Sequence, residues 1–432
     1  MVHHKEAVRS RLRSGEGANK MESSYKVAGI DVHKAMLAVV ITDAAATGEF
    51  RLERRKFGTG AAELRALTEW LAGQAVREAV MESTAQYWKP VWQALEGQVQ
   101  LHLAQAHSNR APRGRKGDFR DAERLVRRHI AGELILSFVP DAEQQLWRTL
   151  TRTRQQLRRD RVRLHNELES FLEQARIKLS SHLSDLLGVS GRRMLEALAE
   201  GQTDPARIAA LADQAVRATP EQLCDAVSAA ATMSGLHRHI LKLFLERLQL
   251  IEQQIDSLET SIGDAMREQQ ESVRRLAEVP GLGADSALQI IAEVGPRAAT
   301  FASASQLASW VGCCPGREES AEVSKSNRSP KGNRAMRRIL SQSANAAVKA
   351  KGTVFERLYR RLVARMGHRK AIWAIAHRLC RITWKILHQG VRYEERCPRF
   401  NPKADHRRAT SLVRQLRQLG YAVNLTPLNP GA

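Results

Sequence analysis

Val27-Ala28-Gly29-Ile30-Asp31-Val32-His33-Lys34 sets one carboxylate inside an apolar run, and a second apolar run, Met36 to Ile41, follows at once. The pattern predicts a β-hairpin that opens a sheet. Asp is depleted in strands because its side chain competes for backbone hydrogen bonds and solvates badly in a half-buried sheet. Asp31 is therefore costly unless something binds it, and a divalent cation is the binder whose chemistry fits.

Working outward, strands are expected at Tyr25–Val32, Met36–Thr42, Phe50–Lys56, Glu78–Met81 and Val99–Ala104. Helices are expected at Ala61–Ala72, Ala85–Leu95 and Asp118–Ala131, each with one apolar face. Three meandering strands followed by strands alternating with helices predict an α/β domain over residues 25–140, in the order of a ribonuclease-H-like layer. Residues 141–275 turn Leu-, Arg- and Gln-rich. Leu241, Phe244, Leu248, Ile251, Ile255, Leu258 and Ile262 alternate spacings of three and four, as a coiled-coil seam does. A weaker seam at Leu150, Leu157, Leu164, Leu168 and Phe171 predicts a partner arm, so this region reads as a helical hairpin for oligomerisation. Residues 276–395 read as a mainly helical C-terminal domain, and 396–432 as a polar tail. The fold class expected is α/β plus α.

The 432 residues carry 68 Lys+Arg against 46 Asp+Glu, a formal net charge of +22, with 43% apolar residues. A globular chain this basic points to a polyanionic partner, nucleic acid foremost. Five cysteines without a CxxC pair argue against a disulfide scaffold or a zinc ribbon and fit a reducing compartment. Residues 1–24 read as a disordered basic arm rather than a signal peptide, and Met21 is an alternative start. No stretch approaches the roughly 20 apolar residues a membrane helix needs. The expected location is the cytoplasm, in association with the nucleoid.

Three further carboxylates join Asp31. Glu82 ends an apolar strand just before Ser83-Thr84, and Asp118 and Asp121 share one helix face. Asp31, Glu82, Asp118 and Asp121 together form a set able to hold Mg²⁺ and polarise a phosphodiester. His33, two residues after Asp31 on the same face, is a candidate phosphate contact. Farther on, Val279-Pro280-Gly281-Leu282-Gly283 has the form of a helix-hairpin-helix turn, whose Gly281 and Gly283 would offer backbone amides to a phosphate. A Ser- and Lys-rich loop is bracketed by Arg317, Lys325, Arg328, Lys331 and Arg334, with Arg337 just beyond. A serine in that positive field could attack phosphorus. Without a local His, it would not do so as part of a Ser-His-Asp triad.

Six motifs occur in order: Gly-Ile-Asp-Val-His-Lys, Met-Glu-Ser-Thr, Gly-Asp-Phe-Arg-Asp-Ala-Glu, Val-Pro-Gly-Leu-Gly, Gly-Cys-Cys-Pro-Gly-Arg-Glu-Glu-Ser and Lys-Gly-Asn-Arg-Ala-Met-Arg-Arg. Together they resemble the transposases of bacterial insertion sequences of the one-ten and eleven-eleven types, the DEDD transposases, over roughly Lys26 to Arg392. The resemblance implies a RuvC-like domain whose metal ligands are Asp31, Glu82, Asp118 and Asp121, and a C-terminal transposase domain whose nucleophile is Ser320. Ser324 and Ser326 stand as further candidates. It also implies a phosphoserine-linked intermediate, donor and target DNA as partners, a structured guide (bridge) RNA, and a homodimer or homotetramer. A RuvC-type nuclease using water, and a non-catalytic nucleic-acid-binding protein, are the alternative readings.

Overall fold

The computed structural model describes residues 25–43, 51–83, 85–106, 117–314, 318–320, 323–326, 329–395 and 402–424. The basic arm expected at residues 1–24 lies outside them. The chain divides into two compact units, Met1–Val139 and Pro140–Ala432.

The first unit is built on a five-stranded mixed sheet. Its strands are β1 (Lys26–Val32), β2 (Met36–Asp43), β3 (Glu53–Gly58), β4 (Val76–Glu82) and β5 (Gln100–Ala104), in the spatial order β3-β2-β1-β4-β5. The hairpin β1–β2 is antiparallel with Asp31 opposite Ala38, β3 extends the meander, and β4 and β5 add in parallel. Parallel strands need crossovers, supplied by α1 (Ala61–Gly73) and α2 (Trp88–Leu95). Helix α2 starts later than its sequence suggests, because Ala85 sits at a φ of 47°, outside helical geometry.

Strand alternation sorts β1 into two faces. Ala28, Ile30 and Val32 join Leu37, Val39, Leu67, Leu71, Met81 and Leu95 in the main core of this unit. Val27, Gly29 and Asp31 point the other way, toward helix α3 (Asp118–Ile130), which buries Ala122, Leu125 and Val126. A Cβ on Gly29 would lie 2.3 Å from the Ala122 carbonyl oxygen and 2.5 Å from a Val126 methyl. Only glycine allows the helix to lie this close to the strand.

The second unit is helical. Helices α4 (Ala142–Gln174) and α9 (Gly235–Ala265) run antiparallel, linked by Arg158–Glu259, Arg161–Glu252 and Arg247–Glu167 ion pairs. Leu241, Leu248, Ile255 and Ile262, every seventh residue of the expected seam, are buried. Short helices α5 (Leu179–His182), α6 (Val189–Ala199), α7 (Pro205–Ala209) and α8 (Pro220–Ala226) close a core over one end of the pair. Then follow α10 (Gln270–Ala277), α11 (Ala284–Val294), α12 (Ala304–Val311), a hairpin β6 (Glu318–Ser320) and β7 (Val323–Ser326), α13 (Arg334–Ala347) and α14 (Val354–Gln389). Where the sequence suggested an irregular serine loop, β6 and β7 pair antiparallel, Ser320 opposite Val323. The polar tail holds a helix, α15 (Pro402–Gln418), which Pro402 starts in the one helical turn that tolerates proline. Among the described residues no helix is long and apolar enough to cross a membrane.

Gly29→Ala should cost about 1–3 kcal/mol through overpacking. Urea denaturation measures the loss, and a wild-type midpoint would refute so close a contact between α3 and β1.

Candidate functional site

The contact at Gly29 brings the first turn of α3 to the end of β1. There His33 Nε2 lies 3.0 Å from Asp31 Oδ2 and 3.6 Å from Asp118 Oδ1. Lys56 Nζ, from β3, reaches Asp118 Oδ2 at 3.4 Å, and Arg124 pairs with Asp121 at 2.7 Å. Asp31, His33 and Asp118 each place one donor atom within 4.8 Å of the others. Asp121, in the same first turn of the helix, acts on Asp31 by charge. Glu82 ends β4, whose Met81 pairs in parallel with Ile30, so Glu82 stands one rung on, beside Asp31 and on its face. Neither Glu82 nor Asp121 joins the three-donor group.

Burial raises the Asp31 pKa above its ordinary 3.8; His33 opposes the rise, while the charges of Asp121 and Asp118 add to it. Three carboxylates near one another, one of them only 17% exposed, disfavour each other's ionisation, and a divalent cation relieves that repulsion. The donor set of hard oxygens suits Mg²⁺-type ions.

The second unit holds the serine hairpin by its base. Gly312 sits at a φ of 73°, and a Cβ there would lie 2.5 Å from the Pro330 carbonyl oxygen. A Cβ on Gly332 would lie 2.1 Å from the Val311 carbonyl oxygen, so two glycines let the hairpin's flanks touch. Arg337 donates to the carbonyls of Gly312 and Pro330 and stacks 4.4 Å over Trp373. Trp373 Nε1 in turn donates to Ser329 Oγ at 2.8 Å. Beneath lies Glu293, its side chain 2% exposed, which accepts from Arg152 at 2.7 and 2.8 Å and from Asn333 Nδ2 at 2.7 Å. Arg148 lies 3.7 Å away, and burial pulls its pKa down to about 10. Asn333 also caps α13, accepting from the Met336 amide. Arg152, Arg159, Arg334 and Arg338 line a cavity of about 460 Å³ above Glu293.

The remaining sequence candidates fall in different settings. Gly281 has a φ of 86° and faces the α13 backbone, where a Cβ would lie 2.3 Å from the Ser343 carbonyl oxygen. Gly283 is exposed with open space about it and caps α11. Lys331 and Arg334 are exposed, whereas Arg337 is spent on the hairpin base. Arg317 and Arg328 lie outside the described residues. For Ser320, Ser324, Lys325 and Ser326 the backbone alone is described. Sequence reasoning passed over Lys56, Glu293 and the Arg152–Arg159 stripe. An isolated Glu inside the apolar run Ile290-Ile291-Ala292-Glu293-Val294 was the available signal for one of them.

A cluster of carboxylates and an imidazole able to hold a metal on a mixed sheet, joined in one chain to a helical unit with a basic serine hairpin, is the arrangement to set beside proteins that transfer DNA strands. Two transposase family models match: the DEDD IS110 transposase model over residues 28–177, and the transposase IS116/IS110/IS902 family model over residues 273–360. Together they span more than half of the chain, which belongs to the IS110 family of DEDD transposases. That membership carries DNA as substrate, its cleavage and rejoining as activity, and use of a divalent metal. No curated protein matches the chain.

Two predictions follow from these geometries. In the metal-free protein a raised Asp31 pKa means the folded state holds a proton that the unfolded state has released, so stability falls as pH rises from the ordinary aspartate value through the raised one. Asp31→Asn should remove that slope and raise the metal-free Tm at neutral pH; melting curves across pH 3–8 check it, and an unchanged slope counts against it. Glu293→Gln should cost about 3 kcal/mol, because it leaves buried arginine charge uncompensated. Chemical denaturation reads that loss, and a cost near zero would show Glu293 to be dispensable.

Proposed function

We propose that this transposase cuts and rejoins DNA strands to mobilise an insertion sequence, with Ser320 as nucleophile and Mg²⁺ held by Asp31, Glu82, Asp118 and Asp121. The observation that carries the reading is the meeting of Asp31 and Asp118 at His33, with the largely buried Asp31 held above its ordinary pKa by burial and, less, by the neighbouring carboxylates. The first unit is read as RuvC-like, since its meander plus two parallel strands places the carboxylates at the strand ends and at one helix start.

When bound, Mg²⁺ supplies Lewis acidity toward a phosphodiester oxygen. The chain's own groups do the rest. Ser320 Oγ attacks phosphorus, an Oγ–P bond forms, the P–O3′ bond breaks, and the serine proton is passed to the departing 3′ oxygen. Rejoining is the reverse, with another strand's 3′ hydroxyl displacing Ser320, so no bond energy is lost to water. His33 Nε2 bridges Asp31 and Asp118 and holds the two carboxylates near each other. Lys331 and Arg334 offer charge-assisted contacts to the DNA backbone, as do Arg317, Lys325 and Arg328 of the same stretch of sequence and the amide of Gly283, while Arg337 and Gly281 serve the packing of this unit. A structured guide RNA selects donor and target by pairing, which leaves the protein to read backbone and shape. A homodimer or homotetramer in the cytoplasm, at the nucleoid, completes the reading.

Ser320→Ala should abolish covalent protein–DNA adducts on denaturing gels and leave DNA binding intact. Asp31→Ala should abolish Mg²⁺-dependent strand cleavage. Adducts that persist without Ser320 would move the nucleophile to Ser324 or Ser326. Cleavage with no adduct in the wild type would favour a water-using RuvC-type nuclease.

A further inference from the structure

Helix α3 carries Asp118 and Asp121 in its first turn. Its last turn carries His129, about 16 Å away at 1.5 Å per residue. His129 Nε2 lies 2.9 Å from Glu78 Oε2 on β4, and His102 Nε2, from β5, lies 3.0 Å from the same oxygen. The two imidazoles pack with centroids 4.5 Å apart and planes tilted by 41°, so both Nε2 atoms converge on one point. The three donor atoms lie within 4.8 Å of one another. The side chains are 22%, 16% and 13% exposed for Glu78, His102 and His129, so the cluster is shielded yet reachable from water. None of the three is among the residues proposed above for strand transfer.

We propose that Glu78, His102 and His129 form a second metal site, for a zinc-like divalent cation, that pins the last turn of α3 to β4 and β5. Two imidazole nitrogens and one carboxylate oxygen are a borderline-soft donor set that favours Zn²⁺ over Mg²⁺. Ligand bonds of about 2.0–2.2 Å in tetrahedral geometry separate neighbouring donors by a little over 3 Å, close to the 3.0 and 2.9 Å from Glu78 to the two imidazoles. Binding needs each Nε2 lone pair, so the Nε2 protons now directed at Glu78 move to Nδ1 or to solvent. Water fills the fourth position on the exposed side. A cation here would fix the far end of the helix whose near end presents Asp118 and Asp121, one metal positioning the ligands of another.

The test uses the full chain in excess Mg²⁺, which occupies the oxygen-rich site, and titrates Zn²⁺ by calorimetry with bound zinc counted after gel filtration. One Zn²⁺ per chain is expected in the wild type and in Asp31→Asn. His102→Gln and His129→Gln should bind at least about 100-fold more weakly and lose the zinc-dependent rise in Tm. Wild-type protein without a zinc equivalent, zinc retained in both histidine variants, or zinc lost in Asp31→Asn would each overturn the site. Should the histidine variants fail to fold, Co²⁺ added to the wild type decides. Intense visible absorption marks a four-coordinate imidazole site, and the weak spectrum of an octahedral oxygen site overturns it.

Discussion

The contact between α3 and β1 at Gly29 is the constraint on which the first unit depends. A helix covering a sheet ordinarily stands off by the length of its side chains. Here the missing Cβ of Gly29 lets the Ala122 carbonyl come within what would be 2.3 Å of a side-chain atom. That depth brings Asp118 and Asp31 to the same imidazole rather than leaving them on separate surfaces. The same glycine sits two residues before Asp31, so one strand face carries both the notch that receives the helix and the carboxylate that uses it.

The second unit uses close backbone approach for a different end. Gly312 and Gly332 bring the two flanks of the serine hairpin together, and Arg337 ties their carbonyls while stacking on Trp373. Fixing the base leaves β6 and β7, only three and four residues long, to carry Ser320 next to the turn. Asn333 joins the hairpin base to the buried Glu293 and to the start of α13 at once. A single side chain thus couples loop, helix and buried charge, so disturbance of any one reaches the others.

Most of the sheet was legible because its signals are local. Apolar alternation marks β1 and β2, and Leu64, Leu67 and Leu71 mark one face of α1. The seam from Leu241 to Ile262 was equally plain, since a seven-residue repeat has no other reading on a helix. What stayed hidden depends on distant partners. Gly281 reads as a phosphate-facing turn, yet it packs on Ser343 and Ala347, more than sixty residues on. Arg337 reads as a free basic residue, yet it is engaged by carbonyls brought back by the chain's reversal. Of the four candidate carboxylates, spacing marked Asp118 and Asp121 as a pair, but only the fold shows that Asp118 shares His33 with Asp31 while Asp121 acts by charge alone. Lys56 had no signal, because cross-strand neighbours are set by register rather than by sequence distance.

Charge compensation separates the two kinds of buried acid in this chain. Glu293 is almost wholly enclosed, and fixed donors from Arg152 and Asn333 engage its carboxylate, so its charge is answered by the protein itself. Asp285, at the start of α11, is half-exposed and is also clasped by Arg154 and Arg158. Asp31 is different: its partner is a half-exposed histidine shared with a second carboxylate, and burial, with a smaller push from Asp121 and Asp118, holds its pKa up against that histidine. In a protein with a net charge of +22, cations to neutralise a third acid were abundant in the sequence, yet the ones the fold brings to this cluster pair with its other acids, Lys56 with Asp118 and Arg124 with Asp121. An acid left under-compensated where arginine is plentiful costs stability, and such a cost is retained where an external cation supplies the balance during work. The contrast between Glu293 and Asp31 therefore separates a charge that the fold itself answers from one that it leaves under-compensated.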